Sequence, residues 1–161
     1  MNTDKITNLL DQESIKYLFS IFHNYKSEIR LVGGSIRDTL IDRDVKDIDS
    51  ATPLEPDEVL ALLKENNIEY DDYALRYGSI IAYLNNKKIQ ITTLREDINQ
   101  LGRHTSVLYT KDWKKDAARR DFTFNALYLG IDQKVYDFYN GEKDLKEKKI
   151  KFIGEIEDRI K

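Results

Sequence analysis

A short apolar run that ends in two glycines constrains the fold of this chain more than any other feature. Residues 29–32 have the apolar character of a buried strand, and Gly33 and Gly34 separate them from a helical pattern over 35–41. Glycines at such a turn let the backbone approach a ligand closely, and the first N–H groups of a helix favour an anion. Arg37, in the first helical turn, is placed to reach the same anion. Two interpretations follow: a phosphate-binding turn, or a plain glycine turn beside an Arg–Asp surface pair.

The remaining segments alternate between helical and β-type patterns. Helices are predicted over 12–25, 57–66 and 112–125, and strands over 47–51, 79–84, 88–94, 127–129 and 135–138. Asn85-Asn86 between two β-rich runs predicts a hairpin turn, whereas the polar stretch 96–110 is predicted to be a loop. Ser14 or Asp11 is expected to cap the first helix. The mixture predicts an α/β (α+β) domain with a small mixed or antiparallel sheet flanked by helices.

Composition narrows the function classes. The chain has 161 residues, no cysteine and a formal net charge of −3. The absence of cysteine excludes disulfides, thiolate metal sites and a cysteine nucleophile, and the net charge argues against a chain that mainly coats nucleic acid. No apolar run approaches the ~20 residues of a membrane span, and the N-terminal residues lack the pattern of a secretory signal. We therefore expect one domain without membrane contact, located in the cytoplasm.

Asp47-Ile48-Asp49 is the second segment with chemical character. On a strand, residues two apart point to the same face, so both carboxylates converge while Ile48 points into the core. Two like charges held close repel each other, and a divalent cation such as Mg²⁺ relieves that repulsion. The acidic pair follows the glycine turn by only 13 residues (Gly34 to Asp47), which places a phosphate-binding turn and a metal site on neighbouring strands. The alternative is an exposed acidic turn.

The third segment is Arg119-Arg-Asp-Phe-Thr-Phe-Asn125. Arginine binds phosphate oxygens through two parallel hydrogen bonds. Asp121 and Asn125, four residues apart, are expected to share one face of a helix. Taken alone, this segment favours a simpler interpretation, in which Arg119 and Arg120 are solvated surface charges beside Asp116.

Together these segments carry a resemblance to a known family. The order LVGGSIRDTL, DID, ITTLR, GRHTSVLYTKDWKKDAARRDFTFNALYLG, DFYNGEKDL and KFIG is similar to the head domain of class II tRNA nucleotidyltransferases, the CCA-adding enzymes, and of the related bacterial poly(A) polymerases. The similarity runs from about Leu31 to the C-terminus. It implies a polymerase-beta-like nucleotidyltransferase head that uses Mg²⁺, takes ATP or CTP as substrate and extends the 3′ end of tRNA.

The resemblance also implies a role for each matching residue. Asp47 and Asp49 are the catalytic and metal-binding carboxylates. The implied nucleotide-binding residues are Gly33, Gly34, Ser35, Arg37, Arg120, Asp121 and Asn125. Gln90 and Arg95 are implied neighbours of the active site. Residues 103–120 are implied to form a mobile loop and a following helix near the RNA 3′ end, which fits their six Lys or Arg against two Asp.

Two departures from the family pattern change the expected activity. The family usually has a glutamate where this chain has Gln90, and an amide carries no charge and cannot take a proton. We therefore expect weak or absent catalysis with nucleotide binding retained; the alternatives are a shifted alignment, or Asp97 in place of the glutamate. The second departure is length, because family members continue into a helical neck that selects the base and into a body and tail that hold tRNA.

These departures leave three functional interpretations. The first is the head of a CCA-adding enzyme whose neck, body and tail lie on a separate chain or were trimmed away. The second is a nucleotide-binding remnant that transfers nothing, and the third is a poly(A) or A-adding polymerase head. The expected organisation is an N-terminal helix over 1–28 packed on the head, the head over 29–154, and the start of a missing neck over 155–161.

Overall fold

The computed structural model describes residues 3–43, 45, 47–99 and 105–154. The helices in these ranges are α1 (Thr3–Leu10), α2 (Glu13–Asn24), α3 (Gly34–Leu40), α4 (Pro56–Glu65), α5 (Trp113–Ala118) and α6 (Gly141–Lys146). The strands are β1 (Arg30–Val32), β2 (Ile48–Thr52), β3 (Glu69–Asp71), β4 (Ser79–Leu84), β5 (Lys87–Thr93), β6 (Arg95–Asn99), β7 (Thr105–Tyr109), β8 (Leu127–Leu129) and β9 (Val135–Asp137). None of these helices has the length and apolar character that crossing a membrane requires.

A seven-stranded mixed sheet organises the molecule. Its strand order is β3-β4-β5-β2-β1-β8-β9, in which β2 and β5 run parallel and the other neighbours run antiparallel. The predicted mixed sheet flanked by helices is therefore confirmed. Asn85 and Asn86 join β4 to β5 with φ of 47° and 64°, the left-handed conformation that a two-residue hairpin turn needs. The predicted hairpin is confirmed as well.

One face of the sheet is covered by α1 to α4. Alternate strand residues such as Ile48, Ile89 and Ile91 point to this face and are buried with apolar side chains from all four helices. Helix α4 begins at Pro56. Proline suits the first turn of a helix because an N–H at that position would have no partner within the helix. The large core fixes which face each β2 and β5 residue presents, since a one-residue slip would expose the whole isoleucine set.

The opposite face is only partly covered. A smaller apolar cluster lies there under α5 and the C-terminal segment, and it includes Val32, Ala51, Leu94, Ala117, Ala126, Tyr128 and Ile153. Beyond this cluster, Asp49 and Gln90 stay exposed. The uncovered part of this face, where β2 and β5 lie side by side, is therefore open to a ligand.

The N-terminal segment differs in part from its prediction. Two helices precede β1 rather than one, and both contribute side chains to the large core. Helix α2 matches the predicted 12–25, but its N-cap is Gln12, which makes no side-chain cap bond. The prediction that Ser14 or Asp11 caps it is wrong, because Ser14 lies buried inside the first turn. The domain boundary at residue 28 stays a prediction, and residues 155–161 lie outside the described residues.

Two predicted segments are corrected. The stretch 96–110 is predicted to be a loop, but β6 and β7 form an antiparallel ribbon there, with their backbones paired from Arg95 and Tyr109 to Asn99 and Thr105. The helix expected over 112–125 ends at Ala118 and is followed by a 3-10 turn at Thr123–Asn125. The helix stops because the backbone around Asp121 and Thr123 bonds to the C-terminal segment: Ile153 N–H donates to Asp121 O, and Thr123 N–H donates to Lys151 O.

Candidate active site

The glycine turn joins β1 to α3 in a conformation that requires glycine. Gly33 has φ 76° and ψ −131°, a region that other residues rarely adopt. Its N–H donates to the carbonyl of Leu127 at 3.1 Å, and its own carbonyl accepts the N–H groups of Ile36 and Arg37, each at 3.1 Å. The turn is thereby fixed to β8 on one side and to the start of α3 on the other.

Ser35 leaves an unused donor at this turn. The residue is 3% exposed, and among the described residues its Oγ has no hydrogen-bond partner. A buried hydroxyl without a partner is costly. Ser35 therefore keeps a free donor at the turn where the resemblance implies a nucleotide.

Hydrogen bonds link three of the predicted nucleotide-binding residues, Arg37, Asn125 and Asp121. Nη1 of Arg37 donates to Oδ1 of Asn125 at 2.9 Å, and its Nε donates to Asp38 at 3.0 Å. Nδ2 of Asn125 in turn donates to Oδ1 of Asp121 at 3.3 Å. A Cβ added to Gly34 would lie 3.3 Å from Nη2 of Arg37, so the guanidinium lies close over the glycine turn. Asp121 and Asn125 meet across a turn rather than along the predicted helix.

The two carboxylates flank Ile48 at the start of β2. Ile48 is 3% exposed, whereas Asp47 and Asp49 are exposed on the open face, as the alternation of a strand predicts. Desolvation by the surrounding protein raises the pKa of Asp49, although part of the side chain is exposed. The positive charge of Arg120 lowers this pKa, whereas the negative charge of Asp47 raises it further. Asp49 therefore interacts electrostatically with both Asp47 and the Arg120 guanidinium.

Gln90 lies beside Asp49 in the parallel pairing of β2 and β5. It is exposed on the same face, as expected from the burial of Ile89 and Ile91. No group of three or more His, Cys, Asp or Glu side chains that could hold a metal occurs in the described part of the chain. The donor set is therefore two carboxylates and one neutral amide, all of them oxygen ligands, and Mg²⁺ often takes only one or two protein carboxylates.

The Arg120 side chain is fixed by hydrogen bonds to two other side chains. Its Nη2 donates to Oδ2 of Asp116 at 3.1 Å, and its Nε donates to the hydroxyl of Tyr128 at 3.2 Å. Nε of Arg119 donates to Oδ1 of the same aspartate at 3.1 Å. The simpler interpretation of two solvated arginines is wrong, because their side chains are only 15% and 17% exposed and Asp116 is fully buried.

Asp116 and Tyr128 are site residues that the sequence analysis missed. Burial alone raises the pKa of Asp116, but Arg120 and Arg119 outweigh it, so the net shift is downward. Burial raises the pKa of Tyr128, which stays protonated and donates to Oδ2 of Asp116 at 2.6 Å. The spacing of Asp116 from the arginines, three and four residues on a helix, is a signal for this cluster.

Arg95 contacts the same cluster through its backbone. Its N–H donates to Oδ1 of Asp116 at 3.1 Å, while Nη1 donates to the carbonyl of Tyr77 at 2.9 Å. The ribbon of β6 and β7 starts at this residue, so the predicted mobile loop over 103–120 is instead a strand followed by α5 where the structure describes it. Residues 103 and 104 lie outside the described residues, and nothing is described of the Asp97 side chain.

A carboxylate pair and a glycine turn on neighbouring strands of a mixed sheet are the features expected of a nucleotidyltransferase head. The chain belongs to the Poly A polymerase head domain family, whose model matches residues 29–151. This membership confirms the resemblance found in the sequence. Nucleotidyltransferases of this family generally use a divalent metal ion.

CCA-adding enzymes are among the relatives of the chain. It is 39% identical over 149 residues to the mitochondrial CCA tRNA nucleotidyltransferase 1 of Homo sapiens, covering 92% of this chain and 34% of the relative. It is 33% identical over 153 residues to a CCA-adding enzyme of Bacillus cereus, covering 92% of this chain and 38% of the relative. The chain therefore spans about a third of the length of these relatives.

Solved structures show the same fold. The Bacillus stearothermophilus CCA-adding enzyme in complex with CTP matches with a TM-score of 0.79 at 25% identity, covering 92% of this chain and 36% of that one. A tRNA nucleotidyltransferase complexed with a primer tRNA and an incoming ATP analog matches with a TM-score of 0.69 at 22% identity, covering 85% and 39%.

Proposed function

We propose that this chain is the catalytic head of a tRNA CCA-adding enzyme, which transfers CMP or AMP from CTP or ATP to the 3′ hydroxyl of tRNA. One observation carries the proposal. Val32, the residue before the glycine turn, pairs directly with Asp49 across β1 and β2. This pairing puts the anion-binding turn and the carboxylates side by side, as a nucleoside triphosphate with its metal ion requires.

The mechanism assigns positioning and charge stabilisation to the residues of this chain. Ser35, Arg37 and Arg120 would bind the triphosphate. Ser35 lies in the first turn of α3, the Arg37 guanidinium lies close to Gly34, and the Arg120 guanidinium interacts with the charge of Asp49. The 3′ oxygen forms a bond to the α-phosphorus, and the bond from that phosphorus to pyrophosphate breaks. Asp47 and Asp49 would hold Mg²⁺, which when bound favours ionisation of the attacking hydroxyl and neutralises charge on the leaving group.

Gln90 favours a second candidate function. At this position beside Asp49 the amide supplies neither charge nor a base, so the hydroxyl-activating side of the site is weakened more than the nucleotide side. The second candidate is therefore a nucleotide-binding protein that transfers little or nothing. The relatives extend well beyond the matched region. A partner chain that carries neck, body and tail stays a prediction. A cytoplasmic location stays a prediction.

Nucleotide incorporation tests the proposal. The chain is incubated with tRNA that lacks its CCA end, Mg²⁺ and labelled CTP or ATP, with and without the downstream helical segment of a relative added in trans. Incorporation of C and then A supports the head of a CCA-adding enzyme, and rescue by the added segment supports a split enzyme. Unlimited incorporation of A indicates a poly(A) polymerase head. Silence in both arms, with nucleotide binding intact, supports the second candidate.

A further inference from the structure

We propose that Asp116 is a positioning residue of this site, which holds the Arg120 guanidinium in the orientation that receives the nucleotide. The inference rests on the proposed function, because it assigns a device that serves nucleotide binding. Asp116 does not touch the substrate itself. It acts only through the arginine.

The contacts of Asp116 leave its carboxylate no capacity for a ligand. Its side chain is fully buried, and Oδ1 accepts from the N–H of Arg95 and from Nε of Arg119, both at 3.1 Å. Oδ2 accepts from Nη2 of Arg120 at 3.1 Å and from the hydroxyl of Tyr128 at 2.6 Å. Two donors occupy each oxygen, so the group is a structural acceptor and not a metal ligand or a base.

Arg120 is fixed at two points by this arrangement. Nε is bound to the Tyr128 hydroxyl and Nη2 to Asp116, which sets the plane of the guanidinium. Within the described part of the chain Nη1 makes no hydrogen bond. Tyr128, which accepts from Nε, pairs with Val32 on β1, and Val32 pairs with Asp49 on β2, so the guanidinium is held next to the carboxylates. An arginine held in this way has already lost its rotamer freedom, so it binds an anion at a lower entropic cost than a free side chain.

Charge and position predict opposite effects when Asp116 is neutralised. If only the electrostatic potential mattered, Asp116→Asn would strengthen triphosphate binding, because it removes a negative charge beside two arginines. If the carboxylate fixes Arg120, the same change weakens binding. If Asp116 serves stability alone, the folded protein binds nucleotide as before. Affinity therefore separates the three roles.

The experiment is a titration of the folded chain with CTP and with ATP in Mg²⁺. The variants are Asp116→Asn, Arg120→Lys, which keeps the charge and loses the fork, and the two together. We expect each single change to raise Kd about 10-fold, the lower range for loss of a supporting contact. The double variant should be no weaker than Arg120→Lys alone, because coupled residues are not additive.

Controls keep the test interpretable. Leu18→Ala removes a buried side chain on the opposite face of the sheet and should lower Tm without changing Kd. Tyr128→Phe deletes one donor to Asp116 and should raise Kd by a smaller factor, which gives a readout even if Asp116→Asn fails to fold. Unchanged or tighter binding by Asp116→Asn, no change in Tyr128→Phe, or multiplied losses in the double variant would overturn the inference alone. Failure of the folded parent chain to bind either nucleotide would overturn the proposed function as well.

Discussion

Gln90→Glu restores the carboxylate that the family usually has, and the structure predicts its consequences. Gln90 lies next to Asp49 in the parallel register and on the same exposed face. The replacement has nearly the same volume, and its side chain needs no space in the core. The change is therefore expected to act on charge and chemistry with little effect on packing.

The strand spacing sets the size of the charge repulsion between Asp49 and the new glutamate. Neighbouring strands lie about 4.8 Å apart, and two unit charges at that distance in a water-like medium repel by about 1 kcal/mol. Without a divalent cation, Gln90→Glu should therefore lower stability slightly, and Mg²⁺ should raise Tm more in the variant than in the parent chain. A positioned acid–base group contributes about 10²–10⁴-fold, so we expect nucleotide transfer to rise by about 100-fold or more.

The assay is single-turnover extension of tRNA lacking CCA, with Tm measured with and without Mg²⁺. Gln133→Glu is the matched control, since it makes the same chemical change in the exposed turn between β8 and β9. The control should leave both the rate and the Mg²⁺-dependent Tm shift unchanged. Equal rates for the parent chain and Gln90→Glu would refute the idea that Gln90 limits catalysis.

Three further predictions concern stability. Above the raised pKa of Asp49 its charge costs stability, so Asp49→Asn should raise Tm at neutral pH without Mg²⁺; the gain should disappear as pH falls toward the ordinary aspartate value. Asp116 has a lowered pKa, so its ionised form stabilises the fold above the ordinary aspartate pKa, and this stability is lost as pH falls through the lowered pKa. Asp116→Asn should therefore lower the free energy of unfolding by about 3 kcal/mol at pH 7 and by less in acid, as measured by urea unfolding. Gly141→Ala should cost about 1–3 kcal/mol, because its Cβ would lie 2.2 Å from the Thr123 carbonyl oxygen; unchanged urea midpoints would refute these two.

Local patterns were enough to predict the parts of the fold that local rules determine. The Asn85-Asn86 turn, the strand alternation around Ile48 and the strand–glycine–helix order are all visible within a few residues. They position the carboxylates and the turn correctly. Alternation within β5 also places Gln90 on the open face.

Features that depend on distant backbone partners were not predictable in this way. The sequence over β6 and β7 has no hydrophobic alternation that would mark these strands, and the ribbon is visible only in the pairing of the two backbones. The predicted helix over 112–125 breaks where residues 151–153 supply competing hydrogen bonds. The burial of Asp116 was not predictable, because it depends on Tyr128, which lies on a separate strand.

The most direct test of the account is Mg²⁺-dependent nucleotide binding by isothermal titration calorimetry. The account predicts that the folded chain binds CTP or ATP in Mg²⁺, and that Asp47→Asn combined with Asp49→Asn abolishes the Mg²⁺ dependence while keeping the fold. Equal Mg²⁺-dependent affinities of the parent chain and the double variant would contradict the central claim that these two carboxylates, beside the glycine turn, form the nucleotide and metal site.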